Sequence, residues 1–203
     1  MINPNSDQNT SNSFTIIEIE NPVWPEVFLV ISVRSESVFK ARIRNTLEKE
    51  NRDWLTNEII NSTISHNDQG LPVFPSYCVG SLSHSGGHVA LVTGPGTMFK
   101  SIGVDLEIAE PDPDHVWPLK SQDAILHSVK EAAFKCVASC GGNIESLDDL
   151  VILGMDYDKR RGKVAFFQCK QLNSSVFPNL NVWYKEVSLS SHQFVVSVCV
   201  YEG

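Results

Sequence analysis

From Ser101 to Ile108 the chain alternates without a break, with Ser101, Gly103, Asp105 and Glu107 interleaved with Ile102, Val104, Leu106 and Ile108. A β-strand repeats every two residues, so the spacing predicts a strand with one apolar face. Its other face carries two carboxylates, roughly 7 Å apart along the backbone. About two dozen residues further on, Ser128-Val129-Lys130-Glu131-Ala132-Ala133-Phe134-Lys135 lies in a stretch that predicts a helix from about Ser121 to Ser139. Gly141-Gly142 is its stop signal. Glu131 and Lys135 are four positions apart and share one side of that helix. Two carboxylates from a strand and a third from a helix can converge on a hard divalent cation, which takes oxygen ligands and keeps open positions for phosphate. Taken singly, each cluster also reads as a solvated face: an acidic edge strand, and a helix-surface pair worth about 0.3 kcal/mol.

The remaining pattern is mixed. Strands are expected at 14–20 and 27–33, a helix at 35–50, a short helix at 54–60 and a loop at 65–76. Strands follow at 78–83, 88–93 and 100–108, separated by turns at Ser85-Gly86-Gly87 and Gly94-Pro95-Gly96. Pro111, Pro113 and Pro118 mark a connection before the helix, and the last third reads as strands at 150–157, 163–169, 181–187 and 194–201. Each half thus contains strands, one main helix and more strands. The expected class is α+β, with two similar subdomains in pseudo-two-fold arrangement, each an antiparallel sheet with a main helix. The expected division is a disordered lead-in at 1–13, an N-terminal subdomain at 14–110 and a C-terminal subdomain at 111–203. Both acidic clusters flank the proline-rich seam, and paired units commonly place ligand sites between them.

Composition narrows the function classes. In 203 residues, 42% hydrophobic and 20% charged content fits a soluble globular protein, and no run approaches the ~20 apolar residues of a membrane span. The polar N-terminus does not read as a secretory signal, so a cytoplasmic location is expected. A net charge of −8 argues against a nucleic-acid partner. Lys159, Arg160 and Arg161 read first as a hairpin turn. Among the five cysteines, Cys136 and Cys140 are spaced as a conceivable metal pair, but the others stand alone in apolar strands. Reduced, buried thiols are the better expectation.

Gly80-Ser81-Leu82-Ser83-His84-Ser85 ends a strand in a turn, where hydroxyls, an imidazole and glycine amides can receive an anion. No Gly-x-Ser-x-Gly elbow accompanies it, which argues against a serine hydrolase. Together with Ile102-Gly103-Val104-Asp105-Leu106-Glu107 and Ser128 to Lys135, in that order, it resembles the signature of the 4′-phosphopantetheinyl transferases. The Gly80-Ser81 opening and Pro72-Val73-Phe74-Pro75 make it most similar to the branch serving enterobactin-type siderophore synthesis. The likeness spans roughly residues 70 to 136 and extends only loosely beyond them.

The resemblance implies an Mg²⁺-dependent enzyme with its active site in the cleft between the subdomains, and a monomer is expected. Such an enzyme moves the phosphopantetheine arm of coenzyme A to a serine of an acyl or peptidyl carrier protein and releases 3′,5′-ADP. Asp105, Glu107 and Glu131 match the family's magnesium ligands. Lys135 matches a lysine near the phosphates, Ser83 and His84 match residues on the nucleotide's 3′-phosphate, and Lys40 and Arg44 loosely match basic positions near the nucleotide. Either Glu131 or Lys135 can accept the serine proton, directly or through water; a lysine among phosphates favours its protonated form, which points to Glu131 as base. Two departures stand out: His127 replaces a common tryptophan, and Leu71 replaces a basic residue before Pro72. They leave open a coenzyme A-binding homologue without turnover, and the three carboxylates by themselves also suit an unrelated Mg²⁺-dependent phosphodiesterase.

Overall fold

The computed structural model describes residues 17–18, 24, 26–33, 65–67, 72–109, 121–157, 165–172, 180–189 and 192–202. The expected lead-in at 1–13, the helices at 35–50 and 54–60, and the seam at 111–118 lie outside them. Twelve elements matter here: β1 (Ile17–Glu18), β2 (Phe28–Val33), β3 (Ser65–His66), β4 (Pro72–Val73), β5 (Cys78–Ser85), β6 (His88–Pro95), β7 (Phe99–Ile108), α1 (Ser121–Ser139), β8 (Leu150–Tyr157), β9 (Ala165–Gln171), β10 (Leu180–Leu189) and β11 (His192–Glu202). The described fold is mixed and mostly strands, with antiparallel sheets and one long helix. None of the described helices is long and apolar enough to cross a membrane.

One sheet runs β1-β2-β6-β5 and the other β7-β11-β10-β9-β8. β7 precedes the proline-rich connection in sequence, yet it is the edge strand of the sheet built from the later half, paired with β11 from Ser101↔Tyr201 to Ile108↔Phe194. The loop expected at 65–76 contains a two-residue ladder, β3 with β4, where Ser65 faces Val73 and His66 faces Pro72. Proline is tolerated at the first position of such a short edge pair because no ladder donor is needed there.

The alternation in β7 sorts its residues between two layers. Ile102, Val104 and Leu106 enter a core shared with Leu29, Ile31, Val92, Phe194, Val196 and Val198, between the two sheets. Ser101, Gly103, Asp105 and Glu107 face α1, the period-two outcome that the sequence predicts. α1 buries Ala124, Ser128, Val129, Ala132, Ala133, Cys136 and Val137, a stripe at spacings of three and four with mostly small side chains. Small residues let the helix axis come close to the sheet. The approach is closest at Gly103, where a Cβ would run into the Ala132 carbonyl and lie 2.7 Å from the Cys136 amide nitrogen.

Two hydroxyls secure the same docking. Ser101 Oγ donates to the Cys136 carbonyl at 2.6 Å, and Ser128 Oγ donates to Ser197 Oγ at 2.9 Å, both in buried surroundings. The helix ends at Gly141, whose φ of 74° is a left-handed conformation that glycine adopts without strain. Gly142 N–H donates to Val137 O and Gly141 N–H to Ala138 O, the paired bonds of a Schellman stop.

Because the strand has no room for a methyl group at position 103, Gly103→Ala is expected to cost about 2–3 kcal/mol by overpacking. Thermal unfolding followed by circular dichroism should show Tm lowered by roughly 5–10 °C. An unchanged Tm would mean that α1 is not seated on this backbone.

Candidate functional site

β5 and β7 are edge strands of different sheets that run side by side in the same direction. Ser83 stands beside Asp105 and Leu106, and Gly86 stands beside Ile108. At this seam β5, β7 and α1 each contribute one group to a compact polar cluster. Ser83 Oγ donates to Asp105 Oδ1 at 2.9 Å, and Lys135 Nζ donates to the same oxygen at 2.8 Å. Lys135 Nζ also donates to Ser83 Oγ at 3.1 Å, and the backbone N–H of Leu106 donates to that hydroxyl at 3.2 Å. The last bond satisfies an edge N–H of β7 that would otherwise lack a ladder partner.

Asp105 is 5% exposed, whereas the Lys135 side chain keeps 24% of its surface. Burying a carboxylate is costly unless it is paired and hydrogen-bonded. Here the compensation is one-sided: Oδ1 receives two donors, while Oδ2 is buried with no partner among the described residues. Glu107, two residues on and on the same face, is half-buried, and its pKa is raised above the ordinary carboxylate value. Burial is the main cause, followed by the charge of Asp105; His127 and a hydrogen bond from the Ile108 N–H pull the other way, and Glu131 raises it further. Thus the strand carboxylates and Glu131 of α1 act on one another electrostatically. Glu131 is half-buried and His127 exposed.

Carboxylate oxygens are of the kind a hard cation takes. Among the described residues, however, no three His, Cys, Asp or Glu side chains, Asp105, Glu107 and Glu131 included, are grouped so as to hold a metal ion. Among the described residues the Cys78 and Cys136 side chains are buried, and burial pushes the Cys78 thiol up to about 11, so it stays protonated at neutral pH.

Of the residues marked from sequence, the structure brings Ser83, Asp105 and Lys135 into direct contact, and Glu107 feels the charges of Asp105 and Glu131. His84 is exposed and, one residue along β5 from Ser83, belongs to the opposite strand face. Lys40, Arg44 and Leu71 lie outside the described residues. Sequence reasoning overlooked Ser101 and Ser197, which anchor α1. A lone hydroxyl within Phe194-Val195-Val196-Ser197-Val198 was the available signal for the second. A pocket of about 170 Å³ opens toward the start of β7, with Phe74, Val79 and Ile102 supplying apolar walls and Lys100 a cation. In comparison with known proteins, the chain matches no family model and no curated protein sequence.

Removing Lys135 leaves Asp105 charged and buried with only a serine donor. Lys135→Met should therefore cost about 2–3 kcal/mol at neutral pH, somewhat below the usual range for a fully buried pair. Adding Asp105→Asn should recover most of it in urea unfolding, and additive losses would show that the pair is not coupled. Glu107 has the opposite sign. Its raised pKa means the native state holds the proton more tightly, so stability falls as pH rises from the ordinary carboxylate pKa through the raised one. Glu107→Gln should be more stable than the parent at neutral pH, and the gain should vanish below that window.

Proposed function

We propose that this chain transfers the 4′-phosphopantetheine arm of coenzyme A to a serine of an acyl or peptidyl carrier protein, as a Mg²⁺-dependent 4′-phosphopantetheinyl transferase. The observation that carries this reading is the meeting of three separate motif segments at one seam. Ser83 of β5, Asp105 of β7 and Lys135 of α1 share hydrogen bonds, beside the coupled carboxylates Glu107 and Glu131. The fold proposed with it is a pseudo-two-fold pair of subdomains, with coenzyme A in the cleft that the β5–β7 seam lines. Ile102, which lines the pocket, is about three strand residues, or roughly 10 Å, from Asp105. That is within reach of one extended ligand.

Asp105, Glu107 and Glu131 are the residues that would hold Mg²⁺, which offsets charge on a pyrophosphate during transfer. Lys135 donates to both Asp105 and Ser83, the posture of an ammonium, and serves as an electrostatic clamp for a phosphate entering beside it. Glu131, half-buried four residues earlier on α1, takes the proton of the carrier serine directly or through water. The serine oxygen then forms a bond to the β-phosphorus of coenzyme A. The bond between the β-phosphorus and the bridging oxygen breaks, and 3′,5′-ADP leaves with that oxygen.

Mass spectrometry of apo carrier protein incubated with the chain, coenzyme A and Mg²⁺ should show a gain of one phosphopantetheine group. Glu131→Gln should lower kcat by about a hundredfold to ten-thousandfold. Coenzyme A binding without any gain on a panel of carriers would instead favour a binding protein. Nucleotide cleavage without a carrier would favour a phosphodiesterase.

A further inference from the structure

A serine hydroxyl has one proton to donate and two lone pairs to accept with. Ser83 uses all three, on Asp105 Oδ1, the Leu106 N–H and the Lys135 ammonium, and it is 7% exposed. His84, its neighbour in the motif, stands on the opposite face of β5. The two residues that the resemblance assigns to the nucleotide's 3′-phosphate therefore do not build one anion site.

The pocket at the start of β7 offers another. Its volume is about 170 Å³, and a cavity of about 150 Å³ takes a benzene ring, so a planar base fits. Phe74, Val79 and Ile102 are its apolar walls; among the described lining residues Lys100 is the one cation, and none is acidic. Lys100 is exposed, and its Nζ lies 5.7 Å from the centroid of the Tyr201 ring. A ring face holds an ammonium without an oxygen acceptor, so the N–H donors can still serve an anion. Ser139 lines the pocket at the C-terminal end of α1, which is the negative end of the helix dipole. The carbonyls there are already engaged: Lys135 O by Ser139 Oγ, Cys136 O by Ser101 Oγ, Val137 O by the Gly142 N–H and Ala138 O by the Gly141 N–H. Those bonds offset part of the repulsion that this end exerts on an anion.

We infer that this pocket takes the base and 3′-phosphate of coenzyme A, and that Lys100 is the residue that reads the 3′-phosphate. An apolar slot with an aromatic wall, a cation beside it and no carboxylate suits a nucleoside phosphate better than an uncharged or cationic ring. Ser139 is one turn beyond Lys135 on the same side of α1, about 6 Å along the axis. A nucleoside held in the pocket therefore leaves its 5′-diphosphate to run toward Lys135.

This inference rests on the proposed transferase reading for the identity of the ligand, but its test needs no carrier. The measurement is isothermal titration calorimetry of the full chain with 3′,5′-ADP and with 5′-AMP, at low salt and in the presence of a chelator. The parent should bind 3′,5′-ADP more tightly. Lys100→Gln should weaken 3′,5′-ADP by about tenfold, the loss of a hydrogen bond to a charged group, and leave 5′-AMP unchanged. Lys100→Arg should keep the preference, and Lys130→Gln, which removes a cation of α1 outside the pocket lining, should leave both affinities as in the parent. Val79→Trp, which fills the pocket, should weaken both nucleotides. A parent that does not distinguish the two nucleotides, a preference that survives Lys100→Gln, an equal loss in Lys130→Gln, or parent-like affinities in Val79→Trp would overturn the inference. If carriers gain phosphopantetheine while Lys100→Gln keeps the parent's ratio of KM for coenzyme A to KM for 3′-dephospho-coenzyme A, the pocket assignment fails and the transferase reading stands. If the Lys100-dependent preference is found and no carrier is modified, the transferase reading fails and the pocket assignment stands.

Discussion

A side chain on position 103 would occupy the space held by the Ala132 carbonyl and the Cys136 amide, and its absence lets α1 settle on the backbone of β7. The site depends on that contact. With the helix seated there, Lys135 projects to the level of Asp105 and Ser83, and Glu131 stands nearer the level of Glu107. Ser101 and Ser128 hold the helix at two points along its length, which resists sliding as well as lifting. A shift of one helical turn, about 5.4 Å, would carry Lys135 out of hydrogen-bonding reach.

The cluster is expensive for a folded protein to maintain. Asp105 is taken almost wholly out of water, one of its oxygens has no partner among the described residues, and Glu107 is held in a half-buried position near two other carboxylates. A buried pair of this kind contributes little net stability and is often replaceable by apolar residues without loss. Stability alone therefore does not account for its presence. A buried carboxylate paired with a lysine, beside an acid of raised pKa and at a seam between elements, is a common mark of a functional site.

Much of this was legible in the chain. The alternation of residues 101–108 placed Asp105 and Glu107 on one face, and the helix from Ser121 to Ser139 with its Gly141-Gly142 stop follows from spacing and turn chemistry. What sequence could not express were relations between distant segments. Nothing local says that β7 pairs with β11 across the proline-rich connection, or that β5 lies along the other edge of β7. The role of Gly103 appears only once a helix carbonyl is placed against it. Ser83 was visible as a polar residue in a motif, but its bonding depends on Leu106 and Lys135, groups from two other elements. Strand alternation did carry a warning that was available from the start: neighbours Ser83 and His84 cannot face the same way along β5.

The most direct test is crystallographic, using the full chain with coenzyme A and Mn²⁺ and an anomalous difference map at the seam. The account predicts a peak in which Asp105 Oδ2 and at least one carboxylate of Glu107 and Glu131 lie at bonding distance, roughly 2.1–2.2 Å. Coenzyme A bound with no such peak, or an ion held elsewhere while Asp105 Oδ2 stays unpartnered, would contradict it.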